Sequence, residues 1–174
     1  MKDNNYYKKL LTQDGTQLQH VPAELITEEL YKIAVVESAQ AFRLIPEEFI
    51  TEELCKIAVS HNGYVLQYVP EKMRTGELCK IAVGKNGNAL SYVPEELLTE
   101  ELCKIAVNQD SWALNYVPKE LQTEDLCKIA IGKNGGALRF VHEKMRTEEL
   151  CKIAVSETGY ALQFVPKHLK KKWK

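Results

Sequence analysis

From Thr51 onward the order of apolar and polar positions recurs every 24 residues, with lines opening at Thr51, Thr75, Thr99, Thr123 and Thr147. Each line holds two apolar clusters. The first, Leu102, Cys103, Ile105, Ala106 and Val107 in the line opened by Thr99, forms one wide face when wound as a helix and leaves Lys104 outward. Thr99 stands where a side-chain oxygen caps a helix N-terminus, and Glu100 and Glu101 place negative charge at the positive end of the helix dipole. A small residue follows each first helix: Gly63, Gly87, Gly135 and Gly159, with Ala39 and Ser111 as exceptions. Preceded mostly by Asn or Asp, it reads as a left-handed C-cap. The second cluster, Ala89, Leu90, Tyr92 and Val93, suits a shorter helix packed against the first and ended by Pro94. Because a residue before proline is pushed out of the α region, Val93–Pro94 predicts a corner, with one further turn over Pro94–Leu97.

A fixed period of this length is the mark of a solenoid. The line also opens at Thr27, and residues 3–26 keep Leu18, Val21, Pro22 and Leu25 in register while Tyr6, Tyr7, Lys8 and Lys9 replace the usual apolar start. The expectation is an all-α fold, a right-handed α-solenoid of seven 24-residue helical repeats in a single domain over 1–174. Residues 3–26 form its N-terminal capping repeat, 27–166 the regular repeats and 167–174 a basic C-terminal tail. First helices of about ten residues are too short to persist alone in water, so neighbouring repeats must supply their stability.

Composition adds little to this except in the tail. With 45% hydrophobic and 27% charged residues the chain is ordinary for a soluble domain. No apolar run approaches the about 18 residues of a membrane span, and MKDNNYYKKLL lacks the apolar stretch of a secretory signal. These features predict a cytoplasmic protein, or one delivered into a host cytoplasm, with no membrane partner. Lys167, Lys170, Lys171, Lys172 and Lys174 crowd the last eight residues, so the remainder holds 18 basic and 24 acidic side chains, a net −6. Such a tail either solubilises the end of a repeat stack or touches phosphate. The outward lysines Lys32, Lys56, Lys80, Lys104, Lys128 and Lys152 also form a ladder, and all but Lys80 have Glu four residues earlier. That pairing describes a solvated helix face better than a phosphate track.

Five cysteines, Cys55, Cys79, Cys103, Cys127 and Cys151, share one repeat position. Helices packed about 8–10 Å apart are too distant for a disulfide between successive repeats, and no CxxC or Cys/His pair has metal spacing. They read as small buried hydrophobes. The GKNG strings at Gly84–Gly87 and Gly132–Gly135 lack the spacing and the strand of a phosphate-binding loop. His20, His61, His142 and His168 fall at different repeat phases, and no nucleophile, base or carboxylate pair recurs. We therefore expect no catalytic residue, no metal, no cofactor and no enzyme activity.

What the repeat leaves free is more informative. One column reads Thr16, Gln40, Tyr64, Asn88, Trp112, Gly136, Tyr160, and three residues later Gln19, Arg43, Gln67, Ser91, Asn115, Arg139, Gln163. A spacing of three puts both on one helix face, a strip rich in the side chains of binding hot spots. The candidate partner-binding residues are Arg43, Tyr64, Gln67, Trp112, Asn115, Arg139, Tyr160 and Gln163, rimmed by His61, Lys85, Gln109 and Lys133. The bulk in the first column alternates, which also fits a large side chain draping over its small neighbour. Tyr68, Tyr92, Tyr116, Phe140 and Phe164 hold an aromatic in register and read as core.

The string AVxxNGxALxYVPEELxTEEL resembles the bacterial and viral helical repeat catalogued as domain of unknown function 4116, whose units look like a paired version of this line. The proline corner and the helix cysteine depart from that family's usual pattern, so the resemblance implies a helical solenoid and carries no functional residue. A weaker likeness is to the leucine-rich variant repeat, whose cluster-binding cysteines have no counterpart here. The expected function is a non-enzymatic protein-binding scaffold, adaptor or inhibitor, acting through the strip on another protein. Inhibition of a bacterial or host defence complex is one form of it. The alternatives are nucleic-acid binding, with aromatics stacking bases and Arg43, Arg139 and lysines on phosphates, and a plain structural spacer.

Overall fold

The computed structural model describes residues 3–171, and every regular element among them is helical. Seven α-helices recur at the repeat period: α1 (Asn4–Leu11), α2 (Glu28–Glu37), α3 (Glu52–His61), α4 (Gly76–Lys85), α5 (Glu100–Gln109), α6 (Glu124–Lys133) and α7 (Glu148–Glu157). A four-residue turn, α8 (Lys167–Lys170), follows. Lys172 and Lys174 of the basic tail lie outside the described residues. The residues group into two compact units, one running to Lys85 and including Tyr92–Pro94, the other holding Asn86–Ser91 and the residues from Glu95 onward. Among the described residues no helix is long and apolar enough to cross a membrane.

The threonines do what their position predicts. The hydroxyls of Thr27, Thr51, Thr75, Thr99, Thr123 and Thr147 each accept the backbone N–H of the leucine three residues on, at 3.2–3.4 Å. In α3 the buried face is Leu54, Cys55, Ala58 and Val59, and the same four positions are buried in α4, α5 and α6. Each fully buried leucine contributes about 2 kcal/mol of transfer free energy, which is what holds a ten-residue helix in place.

The second half of the repeat is a 3₁₀ helix rather than a short α-helix. It spans Gly15–His20, Ala39–Leu44, Gly63–Tyr68, Gly87–Tyr92, Ser111–Tyr116, Gly135–Phe140 and Gly159–Phe164, and a three-residue 3₁₀ turn such as Glu71–Met73 follows the proline corner. Six residues between a sharp start and a proline that offers no N–H favour the tighter winding. The helices α2, α3, α6 and α7 each pack on their own 3₁₀ helix and on that of the preceding repeat: α2 on Ala39–Leu44 and Gly15–His20, α7 on Gly159–Phe164 and Gly135–Phe140.

The glycine after each α-helix is not a left-handed C-cap, because no residue of the described chain has positive φ. The α-helix ends on an extended residue, and that residue's side chain caps the 3₁₀ helix. Asn62, Asp110 and Asn134 accept the N–H of Tyr64, Trp112 and Gly136 at 2.9–3.0 Å. The glycine is required by space instead. A Cβ on Gly15 would overlap the carbonyl oxygen of Ala34, on Gly87 that of Ala106, and on Gly135 that of Ala154, each an alanine of the next repeat's helix. At Gly159 a Cβ meets nothing within 4 Å. Ala39 and Ser111 hold the same place in their repeats, so the clearance is set repeat by repeat.

Two further devices tie repeats together. Lysines reach the following repeat's acid 21 residues on, as in Lys8–Glu29 at 2.7 Å, Lys32–Glu53 at 2.7 Å and Lys128–Glu149 at 3.0 Å. Lys32, Lys128 and Lys152 also make the expected pair four residues back, whereas Lys56 turns to Glu77 at 3.3 Å. These pairs are exposed and each contributes under about 1 kcal/mol. The stronger device is the residue that closes the repeat. Arg74 donates from Nε to Val69 O and from Nη1 to Tyr92 O, both at 2.9 Å, and from Nη2 to Gln67 O at 3.3 Å. Arg146 repeats this with Val141 O and Phe164 O at 2.9 Å and Arg139 O at 3.1 Å. Gln122 makes a shorter brace, from Nε2 to Val117 O and Phe140 O, and its Oε1 accepts the N–H of His142, which replaces the corner proline.

All five cysteines are buried and unpaired. Burial pushes the thiols of Cys55, Cys103 and Cys127 up to about 11 and raises those of Cys79 and Cys151. Tyr7 and Tyr31, which hold this position in the first two repeats, are buried too.

Two stability measurements follow. By chemical denaturation, Gly135→Ala should cost about 2 kcal/mol through overpacking, while Gly159→Ala should change stability by less than about 0.5 kcal/mol. Equal effects at the two sites would remove the close-approach explanation. For the thiols, the folded state keeps its protons to higher pH than the unfolded state, whose cysteines ionise near 9. Stability is therefore intact below pH about 9 and falls as pH rises toward about 11. A variant with all five cysteines changed to alanine should melt lower at neutral pH, because of cavities, yet show a shallower decline across that alkaline range.

Candidate functional site

The 3₁₀ winding decides which columns face water. With three residues per turn, positions i and i+3 eclipse, so Gly63, Leu66 and Val69 line the buried stripe while Tyr64 and Gln67 share an exposed one. All eight residues of the predicted strip, Arg43, Tyr64, Gln67, Trp112, Asn115, Arg139, Tyr160 and Gln163, are exposed. Arg43, Tyr64 and Gln67 belong to the first compact unit and the other five to the second. The amide of Gln67 donates back to Tyr64 O at 3.0 Å, and that of Gln163 to Tyr160 O at 3.1 Å, so the polar column is oriented by the aromatic column's own backbone.

In the second unit the strip closes into a cluster. Trp112 meets Phe140 edge-on with ring centroids 5.3 Å apart, and Tyr160 meets Phe164 in the same way at 5.4 Å. The Arg139 guanidinium lies over three rings, 5.1 Å from Phe140 and 5.8 Å from Trp112 and from Phe164. Trp112 thus leans on the next repeat, as the draping alternative expects, and Gly136 in its column is buried. It is nonetheless 41% exposed, and Tyr160 is 59% exposed. Asp110 anchors the cluster's edge: one carboxylate oxygen caps Trp112 N at 2.9 Å and the other accepts from Asn88 Nδ2 at 2.5 Å. Asn88 Oδ1 is buried without a partner.

The aromatic column Tyr68, Tyr92, Tyr116, Phe140 and Phe164 is not core. Tyr68 is 44% exposed and Tyr116 is likewise exposed, with the other three half-buried. An α-helical reading turns this column inward, whereas the three-residue turn leaves it beside the strip. These rings are surface residues that the repeat pattern hid. The signal was their adjacency to the polar column, legible only once the winding is known. The rim positions His61, Lys85, Gln109 and Lys133 are exposed at the ends of α3 to α6.

Among the described residues, no group of three His, Cys, Asp or Glu side chains is placed to hold a metal ion. Raised thiol values leave the cysteines protonated and poor nucleophiles at neutral pH.

No curated protein and no solved structure was found to match the chain. Residues 51–98, 75–122 and 123–170 match the family described as Domain of unknown function (DUF4116), each match spanning two of the 24-residue lines. With residues 51–170 covered, well over half of its length, this chain belongs to that family of helical repeats.

Proposed function

We propose that the chain is a non-enzymatic binding scaffold, a right-handed α-solenoid by the logic of its period, whose partner is another protein. The observation that carries this is Arg139 held over Trp112, Phe140 and Phe164 at the surface. Arginine and large aromatics are the side chains that dominate binding energy, and here they are oriented before any partner arrives, which lowers the entropy lost on association. The exposed Tyr64 beside Gln67 presents the same chemistry in the first unit.

The same cluster is chemically suited to stacking nucleic-acid bases, which is the second reading. The net −6 outside the lysine-rich tail opposes it, since phosphate tracking needs a basic groove.

The test is affinity capture from bacterial and host lysates, comparing the natural chain with a Tyr64→Ala, Trp112→Ala, Tyr160→Ala variant verified by circular dichroism. The variant should stay folded, because none of the three side chains is buried, and should lose its captured protein by at least about thirtyfold in affinity. Raising salt from about 50 to about 200 mM should weaken the captured complex only slightly, whereas a loss of about a thousandfold would favour nucleic acid. A triple variant that retains its partner would sink the strip as the binding site.

A further inference from the structure

The position that closes each repeat reads Ile26, Ile50, Arg74, Leu98, Gln122, Arg146 and Lys170. At Arg74 and Arg146 the guanidinium occupies a receptor made by the repeat itself: three carbonyls, two from its own repeat and one from the next. At Arg74 one of the three is open by necessity. Gln67 O would be bonded by residue 70 in a continuing 3₁₀ helix, but Pro70 has no N–H.

Shifted back by two repeats, the residues that supply the carbonyls to Arg74 become Gln19, Val21 and Leu44, and Pro22 again leaves Gln19 O without the helical donor. Here the closing residue is Ile26, whose side chain has no donor. A cavity of about 550 Å³ lies at this place, and Gln19, Val21 and Leu44 all line it. Its volume is in the range of ligand sites. Tyr31 and Phe49 form an aromatic wall with ring centroids 5.9 Å apart, and Phe49 is exposed. Glu28 and Glu48 also line the cavity. Glu28 is paired with Lys32, while Glu48 makes no ion pair among the described residues and is close enough to the Tyr31 phenol to help raise its pKa, after burial.

We propose that this cavity receives the guanidinium of an arginine side chain presented by a partner polypeptide, held as Arg74 and Arg146 are held within the chain. Three features select that occupant. Carbonyls arranged for a planar fork of donors suit arginine better than lysine. An aromatic wall attracts a cation, and the Glu48 carboxylate supplies a countercharge. The site lies wholly within the first unit and is independent of the Trp112 cluster.

The test is an NMR titration of the isotopically labelled full chain with the capped peptide acetyl-Ala-Arg-Ala-amide and its lysine and citrulline counterparts. The arginine peptide should shift the amides of Gln19, Val21, Tyr31 and Leu44 saturably. The lysine peptide should bind at least about tenfold more weakly, and the citrulline peptide, which keeps the shape without the charge, should not bind. Ile26→Arg should supply the guanidinium from within, raising the melting temperature and abolishing peptide binding. Glu48→Gln, at an exposed position that leaves folding intact, should weaken binding about fivefold. The proposal fails if millimolar arginine peptide gives no saturable shift, if citrulline binds as well as arginine, or if a folded Ile26→Arg protein binds like the natural chain. Should Ile26→Arg not fold, Glu48→Gln decides, and unchanged affinity there overturns the assignment.

Discussion

The repeat depends on how closely two backbones approach where a 3₁₀ helix begins. Gly15, Gly87 and Gly135 stand so near the carbonyl oxygens of Ala34, Ala106 and Ala154 that no side chain fits between them. Those alanines are completely buried, and the carbonyls of Ala106 and Ala154 already accept the N–H of the helix-ending Asp110 and Thr158 at 2.8 and 3.0 Å. Contact of this kind brings flanking apolar side chains together: Leu90 and Leu138, in the 3₁₀ helices that Gly87 and Gly135 open, are buried. Leu162 holds the same position in the repeat whose Gly159 faces open space, and it is 46% exposed. The burial of that leucine is therefore a product of the neighbouring repeat and not of the repeat's own fold, as expected of elements too short to be stable alone.

A tight start leads to a tight helix, and the tight helix sorts the surface. An α-helical second segment would rotate each successive side chain by about 100°, whereas the 3₁₀ turn rotates it by about 120° and aligns every third residue. Leu66 and Val69 fall inward behind Gly63, and Tyr64 and Gln67 fall outward together. The aromatic at the next position sits at the border, available both to a neighbour's ring and to solvent. That is why Phe140 and Phe164 can support Arg139 from below while Trp112 and Tyr160 remain accessible.

Much of this was legible in the residues and some of it was not, for a consistent reason. Threonine caps, ten-residue helices, the proline corner and the buried cysteines follow from local rules that a single repeat obeys. The glycine was misread because Asn or Asp before Gly has two local meanings, a left-handed helix end or a side-chain cap on a new turn, and only the presence of another chain segment against the glycine separates them. The lysine partners 21 residues on were missed for the same reason: local spacing shows the acid four residues back, and packing supplies a second. The exposure of the strip residues was legible because variation between repeats marks positions that packing does not constrain. The flanking tyrosines were misplaced because their constancy resembled that of core residues.

Constancy and variation between repeats therefore need the winding and the packing before they can be read as structure or function. The closing column shows this most directly. Arginine at two positions and lysine at a third donate to the carbonyl that the proline or its substitute leaves open, and glutamine braces neighbouring carbonyls, so variation there is partly a choice of brace. Where the residue is isoleucine the side-chain donor is missing and the closing residue is more extended, with ψ 131° at Ile26 against 73° at Arg74, and at Ile26 this coincides with a cavity and a carboxylate. A repeat protein thus carries its own comparison set. An interaction made internally in one repeat defines, by translation along the chain, the chemistry of a partner that the same place in another repeat is shaped to accept.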